Sequence, residues 1–404
     1  MKYLKVFETE ALQNEFRSSQ DYIEPHVSCL IDGENVKYNK SLEQLKVPFT
    51  IEATQDGTTI YFRQSHYAAL EGLDPLKVKV STDNGETWIE VTAAVAEDDV
   101  PGAVLAELDE GDKVLIRGRN EAYGYYSTDN LNDSCENCNF WADSPCYVYG
   151  NIMSLIGGDD FARLRKVEEY SFPYFFSDYD TDLGWSWVLS KKGEELLLPA
   201  ITLANYCYYN MFYACESLIS APELPATTLA NLCYGNMFGS CRRLTTVHKL
   251  PATTLMSNCY SSMFANCTSL TTVPELPATT LAEDCYSNMF VFCTSLTTAP
   301  ELPATTLANG CYNNMFRGCT SLTIAPELPA TILSAGCYNG MFYGCTNLSY
   351  IKAMFTTTPG ISYTSDWVKN VKATGTFVKN SAATWNVTGT GGVPTGWTVE
   401  TASA

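Results

Sequence analysis

The chain has 404 residues, with 25 basic and 45 acidic side chains and a net charge of −20; it is too long for one ordinary core and too acidic to favour nucleic acid or an anionic membrane as partner. The acid is uneven: residues 1–198 carry −19, residues 199–348 carry −3 and the remainder +2. No stretch approaches the ~20 apolar residues of a membrane helix, and the first ten residues mix Lys and Glu without an apolar signal core, which predicts a chain kept in the cytoplasm or released by lysis.

Residues 1–45 read as a small separate unit. Ala11, Leu12 and Phe16 share one face of a short polar helix, and Val27–Ile31, Asp32-Gly33 and Val36–Tyr38 read as a hairpin with Asp-Gly in its turn. Residues 46–125 carry alternating strand signals, including Phe49–Ala53, Thr59–Phe62, Val78–Val80 and Lys113–Ile116, the pattern of a small β-sandwich. Within it, Ser81-Thr82-Asp83-Asn84-Gly85-Glu86-Thr87-Trp88 matches the Asp-box pattern S-x-D-x-G-x-T-W. That motif is a hairpin turn in which Asp83 bonds its own backbone, Gly85 supplies positive φ and Trp88 packs beneath; a single copy predicts a hairpin and no enzyme.

Residues 126–198 are aromatic and irregular. Cys135, Cys138 and Cys146 lack an obvious fourth zinc ligand, since the three histidines, His26, His66 and His248, are remote in sequence. The run Tyr170–Phe176 with Trp185 and Trp187 reads as a cap over the first repeat.

The repeats follow. Pro199, Pro225, Pro251, Pro277, Pro303 and Pro329 lie 26 residues apart without slippage, the signature of a solenoid in which each coil packs on its neighbours. The columns that keep their apolar character are a leucine (Leu203 to Leu333), the tyrosine after the first Cys, Met-Phe, and a second leucine (Leu218 to Leu348), and these are the predicted core. Twelve of the sixteen cysteines recur here as C-x7-C, from Cys207/Cys215 to Cys337/Cys345. Period-locked cysteines in register read as buried thiols, because side chains pointing the same way oppose bridging. Leu270–Val273 reads as a short strand ended by Pro274. Residues 349–404 break the period and read as a terminal cap with a few strands.

The string Phe290-x2-Cys293-x2-Leu296, then Ala299, then Leu302-Pro303, and later Cys311-Tyr312, resembles the BspA-like leucine-rich repeat, with Cys-Tyr where that family has Ala-Phe and a 26-residue period where about 23 is usual. The layout is also similar to virion proteins of gut bacteriophages, including the crAss-like group, at the Tyr-Leu-Lys-Val-Phe-Glu-Thr start, Arg117–Asn120, Val148–Leu155 and Pro394–Trp397. The resemblance implies a mixed, mainly β fold: an N-terminal β-sandwich-like module followed by a leucine-rich-repeat solenoid of six 26-residue coils with end caps. The expected division is a docking unit (1–45), a sandwich (46–125), an aromatic linker and cap (126–198), the solenoid (199–348) and a C-terminal cap (349–404).

It further implies a non-enzymatic fibre or tail-associated virion protein that recognises the bacterial surface, or alternatively a bacterial surface or secreted adhesin, or a purely structural virion protein. Expected partners are a bacterial surface glycan or surface protein, other virion proteins through the N-terminal modules, and further copies of the chain; no cofactor, metal, nucleic acid or membrane is expected. Binding should fall on outward columns that vary between coils, which nominates Tyr209, Tyr213, Asn236, Asn266, Asn288, Phe292, Asn314, Arg317 and Tyr343. Glu223, Glu275, Glu301 and Glu327, interrupted by Lys249, read as solvated glutamates; the aligned pairs Thr245-Thr246, Thr271-Thr272 and Thr297-Thr298 are explained by their Leu and Pro flanks. No Ser-His-Asp set or carboxylate pair recommends a hydrolase.

Overall fold

The computed structural model describes residues 40–64, 72–95, 102–124, 138–177 and 194–402, with residue 69 and the short strands Ser28–Ile31, Glu34–Lys37, Trp187–Val188 and Ser190–Lys191. The helix expected around Ala11–Phe16, and Cys135 and Trp185, lie outside the described residues. Among those described, the molecule is mostly β, with few helices and no closed barrel.

In chain order the strands are β1 (Ser28–Ile31), β2 (Glu34–Lys37), β3 (Phe49–Ala53), β4 (Thr58–Gln64), β5 (Lys77–Ser81), β6 (Ile89–Thr92), β7 (Ala94–Val95), β8 (Ala103–Leu108), β9 (Lys113–Gly118), β10 (Asn139–Ala142), β11 (Cys146–Asn151), β12 (Trp187–Val188), β13 (Ser190–Lys191), β14 (Glu194–Leu197), β15 (Tyr350–Ala353), β16 (Thr376–Lys379) and β17 (Thr398–Thr401). β1 and β2 pair antiparallel, Ile31 with Glu34, and the expected Asp32-Gly33 turn lies outside the described residues. β4 and β9 alternate buried and half-buried residues, as a strand with one face on a core must. One sheet runs β14-β11-β3-β9-β5-β6, and a second is built on β4, which pairs with β10, β8 and β7. Phe49 of β3 meets Phe140 of β10 at 5.7 Å between ring centroids, which places the two sheets face to face.

The sheets do not stop where the sequence reading ended the sandwich. β10 pairs with β4, and β11 inserts beside β3, so residues 139–151 complete both layers. Gly150 crosses so close to Pro48 that a Cβ would collide with its carbonyl, and Asn151 donates its amide to the Leu45 carbonyl at 2.9 Å. Ser154, in the one-turn helix Ser154–Gly157, accepts from the Phe49 N–H at 2.9 Å and donates to the Ile116 carbonyl at 2.8 Å. The string 148–155 is therefore the seam of the sandwich.

The repeats have little strand. The expected run Leu270–Val273 forms none, because Pro274 and its equivalents leave only isolated bridges such as Thr202↔Thr228, Ser220↔Thr246 and Thr254↔Thr280. Regularity lies instead in the Cys-Tyr to second-Cys arm. There every odd amide closes a turn within its coil (Cys207 to Ala204, Tyr209 to Tyr206, Met211 to Tyr208, Tyr213 to Asn210, Cys215 to Phe212). Every even amide donates to the next coil (Tyr206 to Asn231, Tyr208 to Cys233, Asn210 to Gly235, Phe212 to Met237, Ala214 to Gly239). The same pattern recurs at each junction. One residue in four carries positive φ, as at Tyr206 (56°), Asn210 (54°) and Ala214 (59°).

The columns between these turns point inward. Tyr208, Tyr234, Tyr260, Tyr286, Tyr312 and Tyr338 stack with neighbouring centroids 5.8–5.9 Å apart. Phe212 through Phe342 stack at 5.4–5.9 Å, and the methionines beside them are fully buried.

Stacking continues past both ends of the sequence repeat. Phe172 and Phe176 lie on Tyr208 and Phe212 at 6.1 and 5.3 Å, and their amides donate to Cys207 and Met211. Phe175 also reaches Phe49 and Phe140 in the sandwich, so the aromatic run joins the two parts in one continuous core. At the other end Phe342 donates to Trp367, and Trp367, Phe355, Phe377 and Trp385 close the stack over the parallel sheet β15-β16-β17.

Candidate functional site

The nine nominated residues all sit on the outward side of the turn arm, at the two positions on either side of Met-Phe. Their surroundings show what selects them. Asn236, Asn266, Asn288, Phe292 and Asn314 have φ of 51°, 60°, 57°, 57° and 52°. Left-handed backbone favours Asn and Gly over other residues, so the amides that looked like contact residues satisfy a turn requirement.

Most of these side chains also have partners inside the molecule. Asn236 donates to Asn210 Oδ1, Asn288 to Ser287 Oγ at 3.0 Å and Asn314 to Asn313 Oδ1 at 2.9 Å. A Cβ on Gly318 would collide with the Phe292 ring; on Gly235 it would lie 2.9 Å from Tyr209, and on Gly239 3.1 Å from Tyr213. A large residue in one coil is matched by glycine in the next, so the variation between coils is partly internal compensation. The Arg317 guanidinium lies 4.6 Å over the Tyr343 ring, and Lys369 Nζ approaches that ring at 5.4 Å. Asn266 is exposed, and Phe292 keeps 45% of its surface open despite a conformation that a bulky residue rarely adopts.

The thiols are not a reactive centre. The twelve repeat cysteines are buried and form no disulfide. The second cysteine of each coil donates its S–H backwards to a phenylalanine carbonyl, as Cys267 to Phe238 and Cys293 to Phe264, both at 3.1 Å. Burial pushes Cys285, Cys293 and Cys345 up to about 12 and Cys337 to about 11. Burial keeps these thiols protonated at neutral pH, the form that is not nucleophilic. Among the described residues no cluster of three or more His, Cys, Asp or Glu could hold a metal ion, and no helix is long and apolar enough to cross a membrane.

The Asp-box forms its turn between β5 and β6. Asp83 Oδ1 accepts from Ser81 Oγ at 2.6 Å and from the Thr87 N–H at 2.9 Å, and Trp88 Nε1 donates to the Gly85 carbonyl at 3.1 Å. Hydrogen bonds from the Ser81 and Thr87 side chains hold the exposed Asp83 carboxyl well below the usual range. The sequence reading missed Arg117, whose guanidinium covers Trp88 at 4.3 Å and pairs with Asp159 at 3.3 Å. An Arg directly after the buried Ile116 of an alternating strand gives no sequence signal of that contact.

Comparison with family models, with curated proteins and with solved structures finds no match to this chain.

Proposed function

We propose that the stacked repeats form a leucine-rich-repeat-type solenoid of the BspA-like kind, and that the chain is a non-enzymatic virion protein that recognises the bacterial cell surface. The observation that carries this reading is the contrast between the two sides of each coil. Inward columns repeat Cys, Tyr, Met, Phe and Leu with almost no change, whereas outward positions on the same backbone pass through Tyr, Gly, Ser, Asn, Val, Phe and Arg. A rigid scaffold with a changeable exterior is what a recognition surface requires. In this reading residues 1–45 and the sandwich attach the chain to other virion proteins, and several copies together strengthen weak contacts to a glycan or surface protein.

A second reading, a structural spacer within the virion, is favoured by one observation. The left-handed turns and large-against-glycine pairs account for much of the outward variation without any ligand. Binding of fluorescently labelled full-length protein, presented as a multimer, to a panel of intact bacteria and their capsule-free mutants separates the two. The full chain is needed because sandwich and repeats share a core. Strain-restricted binding supports recognition, with capsule dependence separating glycan from protein. Absence of binding to every strain transfers the weight to the spacer.

A further inference from the structure

Repeat two departs from its siblings in one chemical direction. Where other coils carry Thr268-Ser269, Thr294-Ser295 and Thr320-Ser321, it carries Arg242-Arg243; where they carry Pro222-Glu223, Pro274-Glu275, Pro300-Glu301 and Pro326-Glu327, it carries His248-Lys249. Three of the four basic residues in 199–348 thus fall within eight positions of a chain whose net charge is −20. The fold does not demand them, since the same positions hold Thr, Ser, Pro and Glu elsewhere in the stack. All four side chains are exposed.

Their acidic neighbours form no ion pair with them among the described residues. Glu216 lies one coil before Arg242, and Glu223 and Glu275 lie on either side of Lys249. Among the described residues, Arg242, Arg243 and Lys249 have no carboxylate within the 4.0 Å of an ion pair, and Glu223 is engaged by Lys40 at 4.0 Å. Arg243 is flanked by Ser217 and Ser269, and His248 by Pro222 and Pro274, so neither has an acidic residue at its own level. Exposed hydroxyls occur on the same coil and its two neighbours: Ser220, Thr245, Thr246, Thr271 and Thr272.

We propose that this island, Arg242, Arg243, His248 and Lys249, is a recognition site for a carboxylate-bearing polysaccharide. The inference rests on the surface-recognition reading and names its ligand class. Guanidinium groups pair with planar carboxylates, and exposed threonine and serine hydroxyls on the same and neighbouring coils suit sugar hydroxyls. The next coils present Glu275 and Glu301 in place of further cations, so the cationic cluster is confined to this coil; a phosphate polymer, which binds through phosphate contacts alone, serves as the competing ligand in the test.

The test uses the full chain with polygalacturonate, the same polymer carboxyl-reduced to neutrality, and single-stranded DNA. Two variants restore the repeat pattern, Arg242→Thr with Arg243→Ser, and His248→Pro with Lys249→Glu; both carry residues that sibling coils already accommodate, and circular dichroism verifies their fold. The expected result is salt-sensitive binding to polygalacturonate only, weakened at least tenfold in the double-arginine variant. Equal binding by the folded variants, binding to DNA as tight as to polygalacturonate, or no binding to polygalacturonate overturns the proposal. Binding to intact cells keeps the two readings apart. If wild type and the arginine variant bind cells equally, this site is wrong and recognition stands; if wild type binds no cell, recognition itself falls.

Discussion

Raising the pH should dismantle the repeats before their thiols can be titrated in place. A free cysteine ionises near 9.0, whereas eleven of the twelve repeat thiols are pushed above that by burial, in several cases to about 12. The folded state therefore binds protons that the unfolded chain releases. The stabilisation is complete below pH 9 and is lost as pH climbs towards the folded values. Each thiol withdraws a fraction of a kcal/mol at pH 9 and on the order of 1 kcal/mol at pH 10, so the eleven together withdraw on the order of 10 kcal/mol by pH 10. A stability of about 5–15 kcal/mol is exhausted between those values. Far-UV circular dichroism and reaction with a disulfide reagent, followed together from pH 7 to 11, should show both changes at one midpoint between pH 9 and 10.5. Reagent uptake by more than the four cysteines outside the repeats near pH 8–9 with the dichroism intact would refute the reasoning, as would a fold that persists to pH 11.

Further substitutions probe other parts of the structure. Phe264→Ala, in the middle of the phenylalanine stack, should cost about 3–5 kcal/mol in denaturant unfolding, more than the same change at an exposed ring such as Phe292. Asn288→Gly should leave stability within about 0.5 kcal/mol, whereas Asn288→Val, at φ 57°, should lose about 1–2 kcal/mol; equal losses would remove the turn explanation for the asparagines. The Tyr260 hydroxyl is buried without a hydrogen-bond partner among the described residues, so Tyr260→Phe should raise the melting temperature, and a fall would show that the hydroxyl is satisfied. Asp83, with its pKa depressed, supports the sandwich above about pH 4 and ceases to do so as pH falls through its folded value, so Asp83→Asn should flatten the acid limb of the stability profile.

The interior of the repeats was legible in the sequence because each buried column recurs at a fixed interval and carries one residue type, as Tyr208 to Tyr338 do. The backbone was not. Nothing in Asn236 or Asn288 alone distinguishes a contact residue from one chosen for positive φ, and only the spacing of four between turn positions, seen in the structure, separates them. The sandwich is legible from alternation in strands such as Thr58–Gln64, but the later strands that extend its sheets, β10, β11 and β14, are not. Asn139–Ala142 and Cys146–Asn151 are short, aromatic and far in sequence from β3 and β4, their partners. The basic island was missed in part because Lys249 was read down its column of glutamates and not along its own coil, where Arg242 and Arg243 stand.

The alternation of amides along the turn arm has an electrical consequence. At every junction from Tyr170 to Gly344 the even N–H groups point towards the later coil, and the carbonyls that receive them face the earlier one. Peptide dipoles of about 3.5 D each therefore add along the stack and not along the chain. The donor pole falls at residues 362–369, where the last amides must find partners in the terminal segment, as Val368 does at Thr390. The acceptor pole abuts the sandwich, where Tyr123 and Gly124 donate to the carbonyls of Ser171 and Tyr170. The array is polarised end to end, like a helix laid crosswise to its own backbone, and two such arrays side by side attract when they run in opposite senses.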